Sequence, residues 1–224
     1  MKSREFEKLI KKHLLPHLPG FKVKKNRLLL YPINYLLRAF LFESSQFDPN
    51  NFTIEVFVQP LYIPQDFISF NIGSRLGSMA DDGHDWWDYT PKNEVLIMNE
   101  ILSLIKKYGV PFLQRIQTPL DLVEEIKREF PENDYPDSYY IEIIAFSLIL
   151  SEKFEAALQE LNRLIYILKE FPELEEWQFE RMKRAERLRD MLKENKKDEV
   201  IQLLKEWTVY TAKNLRLEEY LELE

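Results

Sequence analysis

Two neighbouring segments of this sequence carry the residue types that could do chemistry. The first is an acidic loop whose ionisable side chains are Asp81, Asp82, His84, Asp85 and Asp88. Its four carboxylates and one imidazole are ligands for a divalent cation, and hard cations prefer the carboxylate oxygens. The spacing differs from an EF-hand loop, in which acidic residues alternate and a glutamate closes the loop. We interpret the loop as a candidate divalent-metal site, and the alternative is a solvated acidic loop that leads into a helix.

The second segment precedes the acidic loop and contains Gly73, Ser74, Arg75 and Gly77. Backbone amides and a guanidinium group can converge on a phosphate or a carboxylate, so these residues are a candidate anion site. The alternative is that the two glycines only shape the exit from a strand. If residues 73–88 act together, they predict a metal-dependent hydrolase or a phosphate-binding enzyme, without assigning any residue as catalytic.

Other kinds of catalytic site find little support in the composition. The chain has no Cys, which excludes a disulfide scaffold, a Cys-ligated zinc site and a cysteine nucleophile. Ser44 and Ser45 end a predicted strand, but no Gly-x-Ser-x-Gly elbow surrounds them. His13 and His17 are four positions apart, but Pro16 between them disfavours the continuous helix that a shared metal would need. We therefore expect a non-catalytic role and no cofactor, with the acidic loop as the exception.

A third set of residues points to partner binding, and it consists of Lys22, Lys24, Lys25, Trp86 and Trp87. Lysines that alternate with apolar residues are typical of a surface that meets an acidic protein, and equally of an edge strand whose lysines discourage aggregation. The two tryptophans are interface residues in the first interpretation and pack onto the sheet in the second. Nucleic acid is the less favoured partner because the formal net charge of the chain is −7.

The charge is divided unevenly along the chain. Residues 1–110 carry 14 Lys and Arg against 12 Asp and Glu, whereas residues 111–224 carry 17 against 26, a net of −9. An acidic half accelerates encounters with a basic partner, such as a nuclease toxin, so we expect an immunity or adaptor protein. Any aromatic side chain left exposed on the C-terminal helices would mark the binding face. These aromatic residues are Trp177, Phe179, Trp207, Tyr210 and Tyr220.

The N-terminal half must position the first three sets, and its pattern predicts an antiparallel sheet. An amphipathic helix over residues 3–15 precedes an alternation of apolar residues and lysines at 21–24, a short apolar run at 28–31 and a stretch rich in β-formers at 36–42. Residues 52–58 alternate in the manner of a strand, and residues 67–73 predict a further one. Short links between successive strands favour antiparallel pairing.

From Thr90 onward the sequence predicts helices. Thr90 and Thr118 each precede a proline, and Asp137 precedes Ser138, so all three are candidate N-caps. Further helices are predicted over 152–169, 174–194 and 197–220, and the one at 139–150 is apolar nearly all round and so central. The fold class is therefore α+β with an antiparallel sheet and flanking helices, followed by a helical bundle. We place the domains at 1–117 and 118–224.

Residues 3–117 resemble a bacterial domain-of-unknown-function family, number 4304, in the order of their motifs. The motifs are Pro19-Gly20-Phe21-Lys22, Glu43-Ser44-Ser45, Phe52-Thr53-Ile54-Glu55-Val56, Arg75-Leu76-Gly77 and Trp86-Trp87. The resemblance implies an α+β fold with an antiparallel sheet and brings no known activity. In the second half, the hairpin at 139–171 is similar to one tetratricopeptide repeat, with small residues at Ala145 and Ala157.

The sequence also bears on where the protein works. Its first residues have no apolar stretch of the kind found in signal peptides. No apolar run approaches the roughly 18–20 residues needed to cross a bilayer. We therefore expect a cytoplasmic protein without a membrane partner.

Overall fold

The computed structural model shows that the β-forming stretches pair into one six-stranded antiparallel sheet, as predicted. β1 to β5 lie in sequence order across the sheet, and β6 pairs with β4. The strands are β1 Phe21–Lys24, β2 Arg27–Leu30, β3 Leu36–Ser44, β4 Asn51–Pro60, β5 Gly73–Arg75 and β6 Trp87–Asp88. The structure describes residues 1–70, 72–81, 83–132, 134–135 and 137–223.

Two helical segments pack on this sheet. Helix α1 (Ser3–Leu9), which a π-helical turn extends, buries Phe6 against the rings of Phe42 and Phe52 at 5.8 and 5.4 Å. The second segment covers residues 94–115 and contains Gly109. A Cβ on Gly109 would lie 2.4 Å from the ring of Phe40 in β3. Only glycine allows that close approach of helix to strand.

The strand predicted over residues 67–73 is wrong for its first part, because among the described residues of this stretch the hydrogen bonding to β4 begins at Ile72, whose carbonyl accepts from the Val58 amide at 2.8 Å. Asn71 lies outside the described residues. Residues Phe67 and Ser69 lie in a loop, whose backbone groups bond to a side chain and not to a neighbouring strand. Gln59 donates to the Phe67 carbonyl at 3.0 Å and accepts from the Ser69 amide at 3.2 Å. This side chain therefore satisfies the backbone groups that a strand partner would have bound.

Helices make up the rest of the chain, and two of the three predicted N-caps are confirmed. Thr118 accepts from the Asp121 amide at 3.2 Å, and Asp137 accepts from the Tyr139 amide at 2.6 Å. Thr90 instead precedes a turn, so its helix begins at Glu94. The helices are α2 Glu94–Leu104, which continues through a π-helical turn (Ile105–Gly109) into α3 Val110–Arg115, then α4 Pro119–Glu129, α5 Ser138–Leu150, α6 Phe154–Lys169, α7 Glu176–Lys193 and α8 Lys197–Asn214.

Helix α5 is the central helix of the bundle, as its apolar sequence predicted. Its residues from Tyr139 to Ile149 are all buried, and it packs against α4, α6 and α8. No helix within the described part of the chain is long and apolar enough to cross a bilayer.

The chain folds as two units, here called the sheet unit and the helical unit. The sheet unit contains Met1–Gln59, Phe67–Ile116 and Glu219–Glu224, and the helical unit contains Pro60–Asp66 and Gln117–Glu218. Within the helical unit, Tyr62 and Ser147 share a hydrogen bond of 2.5 Å, and Thr211 donates to the Ile63 carbonyl at 3.1 Å. These bonds hold the segment after β4 against α5 and α8.

Candidate functional site

The guanidinium group of Arg75, the cation of the predicted anion site, is already bound by two carboxylates. It donates to Glu55 at 3.2 Å and to Asp85 at 3.1 Å. A hydrogen bond from Ser78 and the contact with Arg75 lower the pKa of Asp85 below its ordinary value. Ser74 points its hydroxyl to the Arg75 carbonyl at 3.3 Å. The predicted anion site and the predicted metal site therefore supply the two halves of one ion pair.

Gly73 and Gly77 lie where their missing side chains leave room for other backbone segments. A Cβ on Gly73 would lie 2.2 Å from the Val56 carbonyl oxygen, and one on Gly77 would lie 1.8 Å from that of His84. The space beside Gly77 is therefore filled by the chain itself. This agrees with the interpretation in which the glycines shape the backbone after β5.

The remaining residues of the acidic loop face separate neighbours. His84 lies 3.4 Å from the carboxylate of Glu100 and packs edge-on against the ring of Trp87. Of the other members, Asp81 is exposed, Asp88 is an exposed residue of β6, and Asp82 lies outside the described residues. Within the described part of the chain, no three His, Asp or Glu side chains come together in a way that could hold a metal ion.

Two of the predicted partner-binding lysines contact aromatic and acidic residues of the sheet unit itself. The ammonium group of Lys22 lies 3.2 Å from the centre of the Tyr31 ring. Lys24 forms an ion pair with Glu219 at 2.8 Å and lies 5.0 Å from the centre of the Tyr220 ring. Hydrogen bonding from Lys24 lowers the pKa of Glu219 below its ordinary value. The chain's own acidic segment, which begins at Glu219, therefore occupies part of this surface.

The other predicted partner-binding residues have different environments. Lys25 is exposed in the turn between β1 and β2 and has a φ of 58°. Trp87 is 2% exposed and stacks on Phe52, whereas Trp86 is 41% exposed beneath the guanidinium group of Arg75. Of the two tryptophans, only Trp86 is available to a partner.

An open cleft of about 1100 Å³ lies in the sheet unit, away from all the predicted sets. One wall is the face of α1 that carries Lys8 and Leu9. The opposite side is formed by the loop after β3, which includes Ser45, by Tyr89, and by Glu94, the first residue of α2. A concave site of this size is large enough for a ligand of cofactor size.

Glu94 is the most perturbed carboxylate of this cleft. Its Oε1 atom lies 2.7 Å from both Lys12 Nζ and His13 Nε2, and its Oε2 accepts from the Tyr89 hydroxyl at 2.9 Å. These hydrogen bonds, with that of Lys12 the strongest, lower the pKa of Glu94 from 4.5 to about 2. The carboxylate therefore connects the π-helical turn that extends α1 to the start of α2 as a charged acceptor.

The pKa of Glu94 predicts a specific loss of stability in acid. Since the pKa is lower in the folded than in the unfolded chain, charged Glu94 stabilises the fold above about pH 4.5, and this contribution is lost as the pH falls toward 2. We expect the Glu94→Gln variant to have a lower melting temperature than the wild type at pH 7 and a smaller difference at pH 2.5. Thermal unfolding across this range measures both. A constant difference, or the same pH dependence for the surface substitution Glu7→Gln, would contradict the assignment.

The helical unit contains a second cavity, here called the aromatic pocket. It has a volume of about 350 Å³, and its lining includes Tyr135, Ile141, Ile167, Phe171 and Trp177. Phe171 is 46% exposed and Trp177 is 50% exposed, although both are large apolar residues. Exposed aromatics beside a cavity are typical of interfaces, where they bury their rings in a partner.

Two acidic linkers border the aromatic pocket. Residues 131–137, before α5, contain three acidic residues, and residues 170–176, which follow α6 and include the first residue of α7, contain four. Neither linker contains Lys, Arg or His. Of these acids, Asp134 and Asp137 line the pocket directly. The pocket lining therefore has a net negative charge, with two carboxylates against the one guanidinium group of Arg163.

A buried ion cluster lies against the pocket and fixes the start of α7. Arg181 is buried and donates to Asp137 at 2.8 Å and to Glu142 at 3.1 Å. Arg184 binds the other oxygen of Glu142 at 2.8 Å. The guanidinium group of Arg181 also lies 4.8 Å from the centre of the Trp177 ring. The charges of this cluster are mutually compensated, and they position Trp177 at the mouth of the pocket.

Sequence reasoning missed the cleft and found only part of the pocket. Glu94 and His13 are 81 positions apart, so no local pattern connects them. The sequence does contain a signal for the aromatic pocket. Residues 170–176 include four acidic residues and the aromatic Phe171, and they contain no basic residue. Trp177 was considered as a mark of a binding face, but Phe171 was not.

Comparison with family models, with curated proteins and with solved structures finds no match for this chain. The resemblance of residues 3–117 to family 4304 stays a prediction. The fold is that of an α+β protein with a separate helical unit; the open cleft lies in the sheet unit and the aromatic pocket in the helical unit.

Proposed function

We propose that this protein is a non-catalytic, cytoplasmic binding protein of the immunity or adaptor type. Its helical unit docks a basic segment of another protein, and an apolar side chain of that segment fills the aromatic pocket. The observation that carries the proposal is the pair of half-exposed aromatic rings, Phe171 and Trp177, at a cavity with an acidic rim.

The two aromatic rings expose apolar surface that a partner can bury. Phe171 and Trp177 leave large ring surfaces in water beside a cavity of about 350 Å³, which has room for a side chain. Burying apolar surface stabilises a complex by roughly 25 cal/mol per Å² before the costs of association. A partner residue inserted between the rings would bury surface on both sides. This geometry favours an aliphatic or aromatic anchor residue.

The negative charge of the rim favours a partner segment with basic residues around its apolar anchor. Seven acidic residues lie in the two linkers, and Asp134 lines the pocket without a hydrogen bond or ion pair among the described residues. Arg163, the cation on the pocket wall, lies over the Tyr135 ring and 3.6 Å from Glu160. A negative rim accelerates the approach of a basic segment and repels an acidic one.

Affinity capture from a lysate of the source cells tests the proposal when three baits are compared. The baits are the wild type, Phe171→Ala and the matched control Tyr210→Ala, which removes an exposed aromatic on α8 outside the pocket. We expect the wild type and the control to retain a protein with a basic segment. The Phe171→Ala bait should retain about tenfold less of it, because a central aromatic contributes about 1.4 kcal/mol or more.

Two further measurements test the charge of the rim and the identity of the bound segment. Raising the ionic strength should weaken capture, since the rim acts through exposed charges. Cross-linking followed by mass spectrometry should place the basic segment beside Trp177. An identical set of proteins on all three baits, or a partner whose cross-linked segment is acidic, would overturn the proposal.

A further inference from the structure

The cleft of the sheet unit has an imbalance between hydrogen-bond donors and acceptors. Its two acidic side chains are both engaged within the protein. Glu5 accepts from the Lys2 backbone amide at 2.5 Å, and Glu94 accepts from the three donors described above. The charge of Glu94 is therefore balanced by Lys12, and Glu5 is held by a backbone amide.

Several donors that line the same cleft are not engaged in this way. The ammonium group of Lys8 has no ion-pair partner among the described residues, and within the same residues the Thr90 hydroxyl has no hydrogen-bond partner. The Ser45 oxygen accepts from the backbone amides of Phe47 and Asp48, which leaves its hydroxyl hydrogen able to donate outward. The lining thus offers positive charge and donors to a ligand that supplies acceptors.

Part of the remaining lining is apolar and indicates the body of the ligand, whereas Lys2, Ser44 and Asn50 add polar groups to it. Leu9, Pro49 and Pro91 contribute apolar surface, and Tyr89 contributes a ring fixed by its hydrogen bond to Glu94. A cleft of about 1100 Å³ exceeds the needs of an inorganic ion and suits an organic molecule of nucleotide size.

We propose that this cleft binds an organic oxyanion, a molecule of about nucleotide size that carries a phosphate or carboxylate group, with Lys8 and Thr90 as donors to that group. The site lies wholly in the sheet unit. It is therefore independent of the protein partner proposed for the helical unit.

Isothermal titration calorimetry with three probes tests this site on the full chain. Adenosine monophosphate carries a phosphate, citrate carries carboxylates, and adenosine carries the organic body without the charge. We expect adenosine monophosphate or citrate to bind at millimolar concentration or below, and adenosine to bind at least about tenfold more weakly than adenosine monophosphate if phosphate is the group recognised. The charged probe that binds more tightly identifies the oxyanion.

Three single substitutions separate the site from general surface charge. Lys8→Ala should weaken the charged probe about tenfold, and Thr90→Val should weaken it several-fold, while Lys11→Ala should leave it unchanged. Lys11 is the matched control, because it is also a lysine of the first helical segment but pairs with Glu7 outside the cleft lining. Absence of binding by both charged probes, equal binding of adenosine and adenosine monophosphate without citrate binding, or equal affinities for Lys8→Ala and Lys11→Ala would overturn the proposal.

Discussion

Replacing Arg181 with methionine should lower the free energy of unfolding by about 3–5 kcal/mol. Glu142, which Arg181 binds at 3.1 Å, is 0% exposed in the central helix α5. Removing one of its two arginines leaves a buried carboxylate with only Arg184 as a counter-ion, and Asp137 loses its ion pair as well. A buried charge without its partner costs much more than an ordinary surface ion pair contributes.

Urea unfolding followed by circular dichroism measures this loss. The control is Lys183→Met on the same helix, since Lys183 forms an exposed ion pair with Glu180 at 3.0 Å and its loss should cost less than about 1 kcal/mol. The double variant Glu142→Leu with Arg181→Met should recover part of the stability, because it removes the buried carboxylate too. Equal losses for the two single variants, or a double variant less stable than Arg181→Met, would show that the cluster does not carry this energy.

The same cluster shows how far the sequence could predict the fold. Helix α5 was predicted to be central because nearly every position is apolar, and burial of that kind depends on local composition. The N-cap of Thr118 and the alternation in β4 are local signals as well. The ion pair between Glu142 and Arg181 joins positions 39 apart. Its formation depends on how α5 and α7 pack, so no local sequence pattern within either helix predicts it.

The candidate sites were harder to predict for the same reason. Residues that were close in sequence suggested a metal loop and an anion loop, but Arg75 and Asp85 bind each other across ten positions. Charge neutralisation within the protein is favourable whenever opposite charges can meet, and a sequence pattern does not show which charges will do so. Lys24 and Glu219, which are 195 positions apart, give a further example. The acidic composition of the two linkers, by contrast, is visible in the sequence, because it does not depend on which residues meet in the fold.

The adjacent residues Trp86 and Trp87 provide the second prediction with a large expected effect. Trp87→Ala should lower the free energy of unfolding by about 3–5 kcal/mol, whereas Trp86→Ala should lower it by about 1 kcal/mol or less. Trp87 stacks on Phe52 at 5.8 Å and donates to Glu100 at 3.0 Å, so its removal leaves a cavity and breaks this hydrogen bond. Trp86 is already 41% exposed, and its replacement removes a contact with Arg75 at the surface.

Paired unfolding curves of the two alanine variants measure this difference, and each variant is the control for the other. The near-ultraviolet circular dichroism of folded Trp87→Ala should also change more than that of Trp86→Ala, because a ring packed rigidly against Phe52 contributes more signal than one in solvent. Similar losses for the two variants would mean that the Trp86 side chain is buried in solution. Since Trp86 was predicted to bind a partner, that outcome would also remove it from any binding surface.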